Sequence, residues 1–185
     1  RHHTIAVVVP AYNEERLVGE TIQGLPAFVD LVVVVDDAST DQTSRIAEQA
    51  GCQATVSVVR HSTNRGVGAA IATGYSECLQ SDADLIVVVG ADGQMDPGEM
   101  HRLLDSAIKG GADYVKGNRF LHPRVRTTMP PVRRFGSSIL SMMTRLATGL
   151  RTIDDTQCGY TVISKDVLVS IKPESLYKRY GYPND

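Results

Sequence analysis

Tryptophan is absent from this chain, and phenylalanine and cysteine each occur only three times in 185 residues. Cys52, Cys78 and Cys158 are odd in number, far apart and outside any metal-ligand spacing. They exclude a disulfide framework and fit buried thiols in a reducing compartment. No apolar run approaches the ~20 residues needed to cross a bilayer, and no secretory signal peptide is expected. Net charge is nearly missing too: 19 Lys and Arg against 21 Asp and Glu leave −2, so the surface as a whole does not address nucleic acid. The five histidines make neither a zinc pattern nor a triad with a nucleophile elbow, which leaves hydrolase and zinc chemistry without support. His2 and His3, after Arg1 at a start without Met, are set aside as a cloning remnant.

One absence is local. From Tyr114 to Ile153 there is no Asp or Glu, while Lys116, Arg119, Arg124, Arg126, Arg133, Arg134, Arg145 and Arg151 all fall there. Such a run is either a solvated basic face or a surface for anions: a diphosphate, a lipid phosphate or an acidic membrane leaflet.

What is present is a soluble globular composition, 42% hydrophobic and 22% charged, at a length that suits one domain. Short β-branched runs alternate with helical patterns. Strands are expected at Ile5–Val9, Leu31–Val35, Thr55–Val59, Leu85–Val89 and Tyr114–Lys116. Helices are expected at Glu15–Leu25, Asp41–Ala50, Val67–Leu79, Pro97–Lys109 and Val132–Thr148. Continuous apolar strands are buried on both faces, which predicts an α/β fold with a mostly parallel sheet between helices. Right-handed crossovers then bring the loops Pro10–Glu14, Asp36–Asp41, His61–Gly66 and Gly90–Asp96 to one edge and one cleft. Arg119–Pro131 reads as a long functional or mobile loop. Nothing at Tyr182–Asp185 marks a natural end, so residues 1–185 are expected to be a single domain cut short at its C-terminus.

Each loop offers chemistry. In Gly90-Ala91-Asp92-Gly93-Gln94-Met95-Asp96-Pro97, Asp96 reads as an N-cap, Pro97 as the first helical residue and Glu99 as a capping-box partner. Asp92 and Gln94 have no such duty and can offer oxygens to a hard cation, Mg²⁺ or Mn²⁺, that grips phosphates. Tyr12 can stack on a base and Glu14 can accept from a ribose or base N–H, with Asn13 as helix cap. Of the neighbours Asp36 and Asp37 only one can face the cleft, where it suits the ring N–H of uracil or guanine, while Thr40 or Asp41 caps the next helix. The glycines of Asn64-Arg65-Gly66-Val67-Gly68 lack dinucleotide-binding spacing; they either let a helix start approach a nucleotide or shape a turn. Asp155 and Gln157 are candidates for the acceptor end, and Cys158 for the core.

The segments VVVPAYNEE, VVVVDDASTDQT, NRGVGAAIATGY, ADGQMDP, KGNRF and DTQCGY together resemble the family-2 glycosyltransferases of the GT-A fold, in particular the dolichol- and polyprenyl-phosphate sugar synthases. The resemblance runs from Ile5 to Asp185. It implies inverting transfer of a sugar from a UDP- or GDP-sugar, with Mg²⁺ or Mn²⁺ on the diphosphate. The nucleotide-binding set it implies is Pro10, Ala11, Tyr12, Glu14, Val35, Asp37, Gly66, Gly90, Ala91 and Asp92. The metal motif maps to Gly90, Asp92 and Gln94, and the arginine of the Gly-x-Arg stretch to Arg119. Gly90 departs from the family, which carries an aspartate there; the loss weakens the metal site or leaves the ion to Asp92, Gln94 and substrate oxygens.

The implied catalytic residues are Asp92, Arg119, Asp155 and Asp185. A cation and Arg119 stabilise charge on the departing diphosphate. A lipid phosphate, with a second pKa of about 6, attacks unaided; a sugar hydroxyl needs a carboxylate such as Asp185 or, failing that, Asp155. Polyprenyl phosphate is the expected acceptor, with a surface polysaccharide or other glycan as the alternative within the class. The expected place is cytoplasmic, peripheral at the inner face of the plasma membrane. Ile139, Leu140, Met142, Met143 and Leu146 form an amphipathic stripe that reads as core, homodimer interface or membrane contact. From another class comes a nucleotide-sugar-binding scaffold without turnover, which Gly90 makes a contender. A nucleotidyltransferase is disfavoured, since Pro10-Ala11-Tyr12 stands where its glycine-rich signature belongs.

Overall fold

A computed structural model describes residues 3–118, 131–149, 155 and 158–173. Six strands form one sheet in the order β3-β2-β1-β4-β6-β5. They are β1 (Ile5–Ala11), β2 (Leu31–Asp36), β3 (Thr55–Arg60), β4 (Leu85–Val88), β5 (Tyr114–Lys116) and β6 (Thr161–Ser164). β3, β2, β1 and β4 run parallel, in register through Val8↔Val33 and Val8↔Val88. β6 pairs antiparallel with both β4 and β5. The helices are α1 (Val18–Gln23), α2 (Thr43–Gln49), α3 (Val67–Leu79), α4 (Met100–Ile108), α5 (Pro131–Thr148) and α6 (Lys165–Ile171).

Alternation along the valine-rich strands divides the core in two. Ile5, Val7, Val9, Val32, Val34 and Val87 face a layer containing Val18, Ile22, Ala47, Met100 and Leu104 from α1, α2 and α4. Ala6, Val8, Val33, Val35, Ile86 and Val88 face Ile71 and Tyr75 of α3 and Leu168 of α6. β1, β2 and β4 are buried on both faces, as unbroken apolar strands require, while β3 and β5 at the edges are partly exposed. α3 lies hard against β1: a Cβ on Gly74 would stand 2.3 Å from Val8 Cγ1, so only glycine permits this approach.

Strand order reverses at β1, with β2 on one side and β4 on the other. A crevice at the carboxyl ends of strands flanking such a reversal is where ligands enter open α/β sheets. Elements depart from expectation mainly at their ends. α1 begins at Val18 rather than Glu15, because the residues before it are engaged with the loop after β2. α2 likewise starts at Thr43. Asp96 caps as expected, accepting from Gly98 N at 2.8 Å ahead of Pro97, whereas Glu99 pairs with Arg102 at 2.7 Å instead of completing a capping box. β6 and α6 were not anticipated: Thr161–Ser164 is only four residues long, yet it fills the sheet between β4 and β5.

Candidate active site

The loop after β1 is stapled to the loop after β2. Asn13 sits in the left-handed region, φ 56°, which its short polar side chain tolerates. It is not a helix cap: its N–H donates to Ser39 Oγ at 2.9 Å and its Oδ1 accepts from Thr40 N at 2.8 Å. Glu14 N donates to Thr43 Oγ1, Glu15 N to Asp41 Oδ2, and Gln42 N to Glu15 Oε2. Asp41 also accepts from Thr43 N at 3.0 Å, but the N-cap is Gln42, which makes no side-chain cap, so neither Thr40 nor Asp41 is the helix cap expected. With its N–H and carboxylate tied to the facing loop, Glu15 belongs to this seam rather than to a helix.

The two adjacent aspartates divide their work. Asp36 is fully buried and structural, accepting from Ser39 N and Ser44 Oγ beside Arg60. Asp37 lines the cleft, but its carboxylate also holds the loop before α3. Oδ1 accepts from His61 Nδ1 at 2.6 Å and Arg65 N at 2.9 Å, and Oδ2 accepts from Gly66 N at 2.7 Å. Arg65 N reaches Oδ2 as well, at 3.1 Å, so the three donors engage all of the carboxylate's roughly four lone-pair sites, and a ligand N–H would have to take the place of one of them. Because a carboxylate only accepts, His61 Nδ1 carries the proton, and its Nε2 meets Thr73 Oγ1 at 2.9 Å. Gly66, at φ 90°, makes the turn that delivers its N–H to Asp37, and the N-terminus of α3 opens on the cleft.

The cleft encloses about 230 Å³ and is lined by Pro10, Ala11, Tyr12, Glu14, Asp37, Asn64, Gly66, Val67, Ala70, Gly90, Ala91 and Asp92. The structure therefore gathers every residue of the nucleotide-binding set except Val35, whose side chain is buried in the core on the α3 side of the sheet. Asn64, Val67 and Ala70 were missed as lining residues. Val67 and Ala70 lie three apart in the first turn of α3, a spacing that put them on the face Gly66 leads into. His61 was missed as well, although it directly follows β3 at the same sheet edge. Asp155 is buried, 1% exposed, and does not line the cleft. Arg119, Gln157 and Asp185 lie outside the described residues.

Electrostatics favour a cation here. Glu14 is held above the ordinary carboxylate range, first by burial and then by the charges of Asp92 and Asp41. Among the described residues no three His, Cys, Asp or Glu side chains cluster into a metal cage. Mg²⁺ needs no cage: it is commonly held by one or two carboxylates, substrate phosphates and water. Asp92 fits that duty, with its Oδ1 accepting from Gln94 N at 3.0 Å. The Gln94 side chain is exposed and not part of the lining, so Gln94 shapes Asp92 through its backbone. A Cβ on Gly90 would stand 3.2 Å from Asp92 Oδ1, so position 90 abuts the same carboxylate.

Several known proteins are similar to this chain. The chain is 36% identical over 177 residues to an uncharacterized protein of Methanocaldococcus jannaschii, covering 95% of this chain and 71% of that one. It is 30% identical over 190 residues to the UDP-N-acetylglucosamine–dolichyl-phosphate N-acetylglucosaminyltransferase of Methanococcus voltae, covering 95% and 75%. Among solved structures, Mycobacterium tuberculosis glucosyl-3-phosphoglycerate synthase in complex with Mn²⁺ and UDP-glucose superposes with a TM-score of 0.68 at 23% identity. That match covers 98% of this chain and 62% of that chain, and it shows a shared GT-A fold. Residues 6–171 match the model of Glycosyl transferase family 2, and the chain belongs to that family.

Proposed function

We propose that this chain is the catalytic domain of an inverting glycosyltransferase that moves a sugar from a UDP- or GDP-sugar to a polyprenyl-type phosphate, at the cytoplasmic face of a membrane. The observation that carries it is the convergence of Tyr12, Glu14, Asp37, Gly66 and Asp92 on one cleft at the strand-order reversal. Tyr12, 47% exposed at the mouth, offers a ring for a base to stack on. Asp37 would accept from a base N–H in exchange for one of its Arg65 N–H contacts, and Glu14 would accept from a ribose or base N–H. Asp92 would hold Mg²⁺ or Mn²⁺, which when bound neutralises charge developing on the diphosphate as the anomeric C–O bond breaks. The acceptor follows from the dolichyl-phosphate transferase relative and from the acid-free basic stretch. A phosphate acceptor is already ionised near neutrality, so no side chain has to take its proton.

The test is thermal unfolding with UDP, GDP, CDP and ADP, each with and without Mn²⁺, followed by transfer to a polyprenyl phosphate. A ligand at about 100 times its Kd adds about 2.7 kcal/mol, or roughly 5–10 °C for a domain of this size. A cation-requiring shift with UDP or GDP, and turnover lost in Asp92→Asn, is the expected result. Nucleotide binding without turnover on any lipid or glycan acceptor would instead mark a scaffold, as the glycine at position 90 allows.

A further inference from the structure

We infer that His61 is a positioning residue for donor recognition: its imidazole holds the Asp37 carboxylate turned toward the incoming base. The inference deepens the reading of Asp37 as the acceptor of a base N–H and rests on it. His61 and Asp37 are 8% and 3% exposed, and Nδ1 of the ring donates to Asp37 Oδ1 at 2.6 Å. Asp37 is part of the cleft lining and His61 is not, so the ring reaches a ligand only through the carboxylate. The ring itself is held from both ends. His61 N donates to Asp36 O at 2.9 Å, and Nε2 meets Thr73 Oγ1 of α3 at 2.9 Å. Thr73 is anchored in turn by its neighbour Gly74, which lies against Val8 of β1.

The division of donors on Asp37 shows what such a tie does. Asp37 N donates to Ala11 O at 2.9 Å, which settles the backbone and leaves rotation of the side chain as the remaining freedom. Two buried donors hold one oxygen each, His61 on Oδ1 and Gly66 N on Oδ2. Arg65 N bridges both oxygens, at 2.9 and 3.1 Å, from an exposed residue. Its N–H can turn to water at little cost, so it is the contact that a base N–H displaces. Once Arg65 has let go, the bonds from His61 and Gly66 keep the two oxygens in place. Hydrogen bonds weaken steeply as they bend away from linearity, and a carboxylate free to rotate would lose much of its hold on the base. A neighbour locked on both sides removes that loss before the ligand arrives.

The experiment is calorimetric titration of the whole chain, with Mn²⁺ present, by UDP and GDP. Each is run beside an analogue methylated at the ring nitrogen that carries the N–H, in uracil or in guanine. The wild type is expected to bind the parent nucleotide at least about tenfold tighter than its methylated analogue. Three variants are compared with it. His61→Leu removes the donor to Asp37, and His61→Gln removes it while an amide still reaches Thr73, which guards the fold. Both should shrink the preference to about threefold or less. His61→Asn keeps an amide N–H where Nδ1 stands and gives up Thr73 instead; it should restore most of the preference. Unfolded protein lowers the number of sites and leaves the ratio of affinities alone, so lost stability cannot imitate this pattern. The full preference kept in His61→Leu or His61→Gln, or His61→Asn no better than either, overturns the inference while the base reading of Asp37 stands. A wild type that binds parent and analogue alike retires that reading and the inference with it.

Discussion

Replacing Asp37 with alanine removes the acceptor of three donors at once, and its cost can be worked from their surroundings. Gly66 N–H and His61 Nδ1–H are buried, so each loses a hydrogen bond to a carboxylate and finds no water in exchange. Such bonds contribute about 1.5–3 kcal/mol each. Arg65 is exposed, and its N–H turns to solvent at little cost. Asp37→Ala should therefore destabilise the unliganded protein by about 3–6 kcal/mol, a fall of roughly 6–24 °C in melting temperature for a domain of this length. Asp37→Asn is the discriminating control. Its oxygen can keep Gly66 N–H and Arg65 N–H while its amide donates to His61 Nδ1, provided the ring proton moves to Nε2 and is taken by Thr73 Oγ1. That rearrangement should recover more than half of the loss. The assay is thermal unfolding of both variants beside calorimetric titration with UDP. An Asp37→Ala protein that melts within about 2 °C of wild type would refute a framework role and leave the carboxylate to the ligand alone.

Other perturbations test the remaining geometry. Gly74→Ala should lower the urea midpoint by an amount equivalent to about 1–3 kcal/mol, because its methyl overlaps Val8; an increase, as helix propensity alone would give, would show that α3 and β1 are not so close. Glu14 holds its proton more tightly folded than unfolded, so stability falls as pH rises above the ordinary value of 4.5 through the raised folded one. Glu14→Gln should thus melt higher than wild type at neutral pH, with the difference gone near pH 4, and a constant difference across that range would contradict the cause assigned. Burial, with help from Glu77, pushes the Cys78 thiol up to about 12, so a thiol reagent at pH 8 should label half-buried Cys52 first and Cys78 only on unfolding. Gly90→Asp should weaken the unliganded protein by crowding Asp92 and enlarge its stabilisation by Mn²⁺, read as the difference in melting temperature with and without the ion; no change in that difference would place position 90 away from the cation.

The sheet was legible because runs such as Val32–Val35 and Leu85–Val89 can be little else than doubly buried strands, and the polar loops at their ends had one edge on which to meet. Side-chain partnerships across that edge were not. Asn13 carries an ordinary capping residue type, and only the facing Ser39 and Thr40 show that it fastens two loops together. His61 looked like one scattered histidine because its partner lies 24 residues away in sequence. The place after β2 left Asp36 and Asp37 as alternatives and only the family resemblance singled out Asp37, whose grip on Gly66 depends on a left-handed turn that a glycine permits but does not announce. β6 escaped because four residues with little alternation give no period to detect, whereas its antiparallel partners β4 and β5 supply its hydrogen bonds from afar.

The hydrogen bond from Gly117 N to Tyr160 O, 2.8 Å, continues the pairing of β5 with β6 to the rim of the sheet. Gly117 and Tyr160 are thereby held together at the sheet edge, and a Cβ on Gly117 would already touch Cys158 Sγ at 3.0 Å. The nucleotide cleft is built almost wholly from residues before Gly117. The intervening stretch, arginine-rich in sequence, supplies none of the residues that line the cleft, so it can be exchanged without altering that lining. Grafting the equivalent segment from a relative with another acceptor should move acceptor choice while donor choice stays behind.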